Sequence, residues 1–196
     1  MAAGVSPAGV VLCGGASTRM GSDKSTLEVA GRPLALWVAQ ALRAAGAHPV
    51  VAQGGNPPPP LVAEADSMPG AGPLGGLVDS LERHGDVLVC PTDVPTVPPD
   101  LLVALVELAL QTGAPVVLAR SDRLEPLIGH YARESLPALR AGLRAGARGP
   151  KAVLDSTSVP TVPVAAADVL NVNTLADLAT AEAILAARSA TGSQAS

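Results

Sequence analysis

Between residues 12 and 24 the chain reads Leu12-Cys13-Gly14-Gly15-Ala16-Ser17-Thr18-Arg19-Met20-Gly21-Ser22-Asp23-Lys24. Adjacent glycines let backbone N–H groups close on an anion with no Cβ in the way. Arg19 and Lys24 sit in the same loop, the first a planar fork and the second a mobile point charge. Together they suit the neutralisation of a polyphosphate. Spacing separates this loop from two familiar phosphate cradles. A Walker A loop needs G-x4-G-K-[ST], but five residues lie between Gly15 and Gly21, and Ser22-Asp23 intervene before Lys24. A dinucleotide fingerprint needs G-x-G-x-x-G and an acid closing the second strand; Gly14-Gly15 and Ala52-Gln53-Gly54 supply neither.

A second candidate is Asp93, which follows an apolar run and lies between Pro91 and Pro95, so its backbone is stiff. One carboxylate on a rigid strand end is a good partial ligand for Mg²⁺, which keeps waters and takes further oxygens from substrate phosphates. A loop aspartate also caps turns. Asp100, beside Pro99 at a helix start, is the better cap, so Asp93 is assigned to the metal and Asp100 to structure. Gly72 to Gly76 joins a loop to a helix start, where free N–H groups attract anions. Close packing of that helix on a sheet explains the same glycines, and both readings stand.

The elements that must position these residues alternate along the chain. Ala8–Leu12, His48–Ala52, Leu61–Ala65, Val87–Cys90, Pro115–Ala119, Pro126–Tyr131 and Val159–Val164 read as strands. Helices are expected over Leu34–Leu42, Leu74–His84, Pro99–Leu110 and Ser135–Ala145. Thr174 and Asp177 form a capping-box pattern for a last helix to about Arg188. Repeated strand–helix units imply an α/β fold, a doubly wound, mostly parallel sheet with helices on both faces. Ligands then sit at the carboxyl ends of the strands where the order reverses, which singles out the loops after Leu12 and after Cys90. The length of 196 residues suits one domain, 1–188, with a small polar tail over 189–196.

Composition removes other classes. Charged residues are 15% and hydrophobic residues 48%, a balance that excludes disorder as the main state. The aromatics are Trp37 and Tyr131 alone, too few for the stacking platforms of a single-strand nucleic-acid binder. Thirteen Lys and Arg against seventeen Asp and Glu leave no basic face for DNA or RNA. No apolar run reaches the ~18 residues of a membrane span, and the N-terminus has no positive region of a signal peptide, so a cytoplasmic protein is expected. Cys13 and Cys90 are too few for a disulfide framework and belong to no CxxC pair.

Val11 to Lys24, followed by Gly31-Arg32-Pro33-Leu34, closely resembles the signature of nucleotidyltransferases with a G-G-x-S-x-R-M-G-x-D-K loop. Later blocks narrow the resemblance to the molybdenum cofactor guanylyltransferase family. They are Gly72-Pro73-Leu74-Gly75-Gly76-Leu77, Thr92-Asp93-Val94-Pro95, Glu125-Pro126-Leu127 with Gly146-Ala147-Arg148, and Asn171-Val172-Asn173-Thr174. The resemblance implies transfer of GMP from GTP to a molybdopterin phosphate, with release of pyrophosphate and with Mg²⁺ as cofactor. It implies Arg19, Lys24 and Asp93 as catalytic residues, with Leu12, Cys13, Gly14, Gly15, Lys24, Gln53, Asp66, Asp93, Asn171 and Asn173 binding substrates. Where the family often has Asn for the nucleoside this chain has Gln53, so either Gln53 takes its place or that contact is absent. Asn171 and Asn173 point to one side if extended, and their amides suit a pterin edge or a metal-bound phosphate, whereas an Asx turn is the structural alternative. Rival readings are a cytidylyl or sugar-phosphate transferase of the same fold, or a cofactor-delivery protein. Molybdoenzyme targets or their chaperones are the implied protein partners.

Overall fold

The computed structural model describes residues 6–13, 26–154 and 158–192. Strand β1 (Ala8–Leu12) is buried along its whole length, as a continuous apolar run covered on both faces demands. A hairpin of β2 (Glu28–Val29) and β3 (Arg32–Pro33) follows, its turn made by Ala30 and Gly31 with φ of 50° and 71°. Two left-handed central residues make a type I′ turn, whose twist matches that of antiparallel strands. Helix α1 (Leu34–Ala44) leads to β4 (Val50–Gln53) and β5 (Ala63–Glu64). Helix α2 (Pro73–His84) begins on proline and ends at Gly85, and β6 (Val87–Pro91) follows. Helix α3 (Pro99–Thr112) also begins on proline and stops at Gly113, which takes the left-handed conformation at φ 65°. Strands β7 (Val116–Arg120) and β8 (Leu124–Tyr131), α4 (Leu136–Arg144), β9 (Thr161–Pro163) and α5 (Leu175–Gly192) complete the order. Helix α5 thus runs past Arg188, where the pattern places its end, and takes in part of the segment expected to be a tail.

The main sheet has seven strands in the order β5-β4-β1-β6-β8-β7-β9. All pairings are parallel except those of β8, which runs antiparallel to both β6 and β7. The strand pattern alone did not single out β8. Its reversal follows from the connection Ser121–Arg123, too short for the crossover that a parallel return requires.

Period-two alternation divides the core into two layers. Ala8, Val10 and Leu12, with Val87 and Val89, face Leu74, Leu77 and Leu81 of α2 and Leu139 of α4. Val11, Leu88, Cys90 and Val117 face Val38 and Leu42 of α1 and Leu102 and Leu105 of α3. Gly9 stands where α1 comes closest, since a Cβ there would lie 3.2 Å from that of Leu42. A third cluster joins Ala181 and Leu185 of α5 to Val29, Leu34 and Val172. Truncating one of the fully buried leucines to alanine would cost about 2–5 kcal/mol.

His130 is buried in β8, opposite Leu88 of β6 and Val117 of β7 in register, and its Nδ1 has no hydrogen-bond partner. Burial pushes the imidazole below its ordinary value of 6.5, against the opposing pull of the Asp86 and Glu134 carboxylates. The folded state therefore holds His130 neutral, while the unfolded chain takes up the proton first as pH falls through 6.5. Stability should fall between about pH 7.5 and pH 5.5, read as a lower urea midpoint. His130→Leu should flatten that dependence; an unchanged slope would assign it to other groups.

Candidate active site

The site is built on the carboxyl rim of three adjacent parallel strands. In register, Leu12 of β1 stands opposite Gln53 of β4 on one side and Pro91 of β6 on the other. The pairing continues past the strand ends: Cys13 N–H donates to the Gln53 carbonyl at 3.0 Å, and Thr92 N–H to the Leu12 carbonyl at 3.1 Å. Gly55, at φ 64°, packs so closely on this rim that a Cβ would lie 2.9 Å from the Cys13 carbonyl oxygen. Strands β4 and β5 lie to one side of β1 and β6 to the other. The end of β1 is thus the point where strand order reverses and a ligand crevice opens. Gly14, Gly15, Arg19 and Lys24 follow Cys13 directly in the chain and lie outside the described residues.

On the β6 side stands Asp93, half-buried just beyond the strand. Its carbonyl accepts the Val172 N–H at 2.8 Å, and Val172 is fully buried against α5 and the hairpin. One backbone hydrogen bond therefore brings the Asn171-Val172-Asn173-Thr174 block alongside Asp93. Asn171 is half-buried, with its Nδ2 3.5 Å from the Val169 carbonyl, and Asn173 is exposed. The N–H groups of Asn173 and Thr174 donate to Asp177 Oδ2 at 3.0 and 2.8 Å, while Asp177 N–H donates to Thr174 Oγ1 at 3.1 Å. This is the expected capping box. Arg188 of α5 donates to the Thr96 carbonyl and pairs with Asp168, fastening the helix under the loop that carries Asp93. Beside Asp93, Thr92 Oγ1 is buried without a partner. Burial first, and the Asp93 carboxylate second, push the Cys90 thiol well above its ordinary range. Cys13 and Cys90 form no disulfide, and Cys90 fills the core as an inert small hydrophobe.

On the β4 side Gln53 is buried, and both ends of its carboxamide are engaged. Nε2 donates to Asp66 Oδ1 at 2.8 Å, and Oε1 accepts from Arg83 Nη1 at 2.9 Å. Arg83 also donates to the Ala65 carbonyl at 2.7 Å and to Glu64 Oε2 at 3.3 Å. The loop after β5 is held from below by buried Asp79 of α2, which accepts from Ser67 N–H at 2.7 Å and from its hydroxyl. Asp66, Glu64, Gly54 and Gly55 line an open cleft here.

The glycines at the start of α2 have packing reasons. A Cβ on Gly76 would lie 2.9 Å from Gln53 Cγ, and one on Gly72, at φ 76°, would lie 2.6 Å from the Arg148 carbonyl oxygen. That same carbonyl accepts Leu74 N–H at 3.0 Å, and Gly75 N–H returns to the Gly72 carbonyl at 3.0 Å. Leu74 and Gly75 N–H are thus satisfied within the fold, which favours packing over anion binding at this helix end. The contact also joins two sequence-distant blocks, with Arg148 Nη1 donating to the Gly70 carbonyl.

Sequence reasoning, through the resemblance, named Asp93, Asn171, Asn173, Gln53 and Asp66 for binding, and the structure divides them between the two sides of the rim. Sequence reasoning missed Arg83 and Asp79. A cation in the last turn of a helix reads as ordinary dipole compensation, which conceals Arg83. Asp79-Ser80 interrupting the apolar face of α2 was the available signal. Glu125 is buried and accepts from Ser121 Oγ at 2.7 Å and Arg123 Nε at 3.1 Å, tying off the β7–β8 turn.

Comparison with known proteins agrees with this arrangement. The model of the MobA-like NTP transferase domain matches residues 9–162. The molybdenum cofactor guanylyltransferase of Xanthomonas euvesicatoria pv. vesicatoria is 37% identical over 175 residues, covering 85% of this chain and 89% of its own length. The fold is similar to molybdopterin-guanine dinucleotide biosynthesis protein A from Archaeoglobus fulgidus, with TM-score 0.74, 23% identity, and coverage of 91% of this chain and 98% of that one. It is also similar to Rv0371C of Mycobacterium tuberculosis in complex with manganese, with TM-score 0.67, 18% identity, and coverage of 91% and 99%. With β1 ending where the strand order reverses, this chain is a nucleotidyltransferase and belongs to the MobA-like NTP transferase domain family.

Proposed function

We propose that the chain transfers GMP from GTP to the phosphate of molybdopterin, releasing pyrophosphate and forming the guanine dinucleotide form of the cofactor. The observation that carries this reading is the Val172–Asp93 hydrogen bond of 2.8 Å. It sets a pair of asparagines beside a rim carboxylate, across β1 from the Asp66 cleft. The name of the Xanthomonas relative supports guanine and the molybdenum cofactor as substrates. GTP as donor suits a cytoplasmic enzyme, and residues 1–188 serve as one nucleotidyltransferase domain. Molybdoenzymes or their chaperones take the product.

The residues fit a divalent cation such as Mg²⁺. Among the described residues no group of three or more His, Cys, Asp or Glu could hold a metal, so Asp93 would supply one hard oxygen and phosphates and water the rest. When bound, the ion neutralises phosphate charge as a Lewis acid. The chain does the positioning. The loop that starts from Leu12 and Cys13 cradles the triphosphate through the backbone N–H groups of Gly14 and Gly15, and Asp66 meets the nucleoside. Asn171 and Asn173 hold the pterin phosphate so that its oxygen faces the α-phosphorus in line with the leaving pyrophosphate. A P–O bond forms to the acceptor as the α–β bridging bond breaks, and Arg19 and Lys24 stabilise the charge that gathers on pyrophosphate. The acceptor is already an anion, so no protein nucleophile is required.

Three outcomes check this reading. Lys24→Ala should slow turnover about 100- to 1,000-fold, the usual cost of one preorganised donor, without unfolding the chain. Asp93→Asn should abolish metal-dependent turnover while metal-free nucleotide binding stays near wild type, because the amide lacks the charge that anchors a hard cation. In competition for molybdopterin, GTP should be consumed in preference to CTP, by as much as ~10⁴-fold where buried polar groups read one base edge. Faster use of CTP would make the chain a cytidylyltransferase.

A further inference from the structure

We propose that Gln53 does not touch the nucleotide but is a positioning residue that, with Arg83 behind it, fixes the Asp66 carboxylate so that a single oxygen faces the nucleoside. This rests on the reading of Asp66 as a nucleoside contact.

The orientation of the carboxamide is dictated by its neighbours. A guanidinium only donates, so the Gln53 atom 2.9 Å from Arg83 Nη1 is the oxygen. The amide nitrogen must then face Asp66, and it donates to Oδ1 at 2.8 Å. Ser80 Oγ lies 3.3 Å from Gln53 Oε1, but its hydroxyl hydrogen goes to the Gly76 carbonyl at 2.8 Å. Arg83 therefore sets the flip. Gln53 is only 1% exposed, and Gly76 provides the room for it, since a Cβ there would lie 2.9 Å from Gln53 Cγ and 3.6 Å from Asp66 Oδ1. A side chain so enclosed has no surface to offer a ligand. Among the described residues Asp66 Oδ2 makes no hydrogen bond, and Asp66 lines the cleft with Gly54, Gly55 and Glu64.

The arrangement has a consequence for selectivity. A carboxylate free to rotate presents either oxygen and accepts from many donors. A carboxylate pinned through Oδ1 presents Oδ2 along one direction, suited to the N1–H and amino group of guanine or to a ribose hydroxyl. The side chain that reads the nucleoside is then Asp66, and its sharpness is set two side chains away, through buried Gln53 at the exposed Arg83. The loop is further steadied by the Asp79–Ser67 contacts, one residue along from Asp66.

A double-mutant cycle on nucleotide affinity tests this in the full chain. Direct titration of GTP should show Gln53→Met weakening binding about 10- to 100-fold, as expected for a lost hydrogen bond to a charged group. Asp66→Ala should weaken it at least as much, and the double variant no further than Asp66→Ala alone. Additive losses would mean that Gln53 contacts the nucleotide itself, and would overturn the proposal. If Gln53→Met does not fold, Gln53→Glu keeps the length and the Arg83 contact while facing Asp66 with a like charge, and the same cycle applies. Should the chain bind CTP instead of GTP, the guanylyl reading fails while the cycle, run on CTP, still decides the coupling. A readout without nucleotide separates the two fully: in the unliganded chain Asp66→Ala should shift the NMR signals of the Gln53 side-chain amide hydrogens, because their acceptor is gone. Unmoved signals would also overturn the proposal.

Discussion

Strand β1 is hydrogen-bonded along both edges, to β4 and to β6, and that double pairing governs everything around it. Parallel pairing places the carboxyl ends of the three strands on one rim. The hydrogen bonds from Cys13 and Thr92 carry the alignment one residue further, into the loops. A strand with partners on both sides cannot slide without breaking both ladders, and a one-residue slip would turn every side chain to the wrong layer. The chain therefore leaves the sheet after Cys13 from a fixed point.

Two half-sites follow from that point, and they are held by different physics. On the β6 side the support is mostly backbone: a carbonyl of the Asp93 loop accepts Val172 N–H, and Val172 anchors the segment by filling an apolar cluster. On the β4 side the support is a network of polar side chains, Gln53, Asp66, Arg83, Glu64 and His84, with ion pairs from Glu64 to Arg83 and His84 at its outer end. Partly exposed ion pairs add little stability on their own. Their effect here is to restrict the directions in which the Gln53 amide and the Asp66 carboxylate point.

The glycines of the chain divide along the same line. Gly55, Gly72 and Gly76 stand where backbone or a functional side chain comes within reach of a would-be Cβ. They are the places where the rim of β1, the Arg148 turn and helix α2 are pressed against their neighbours. Helix α2 supplies an apolar face to the sheet, and through Gly76, Asp79, Ser80 and Arg83 it also forms the floor of one half-site.

Local signals in the amino-acid sequence were enough for the elements and for the rim. Alternating apolar runs, prolines opening α2 and α3, Gly113 closing α3 and the Thr174–Asp177 box all act within a few residues, so they are legible one segment at a time. The same holds for the candidate Asp93, whose place after an apolar run between two prolines is local, whereas Asp66 and the asparagine pair were singled out by the family resemblance. The direction of β8, the meeting of Asn171–Thr174 with Asp93, and the commitment of Gln53 to Asp66 and Arg83 were decided by the tertiary structure. Each depends on which residues distant in the chain come to share a strand end or a helix face. A hydrogen bond between such residues is set by the register of strands and the approach of helices, and no pattern within one segment encodes it.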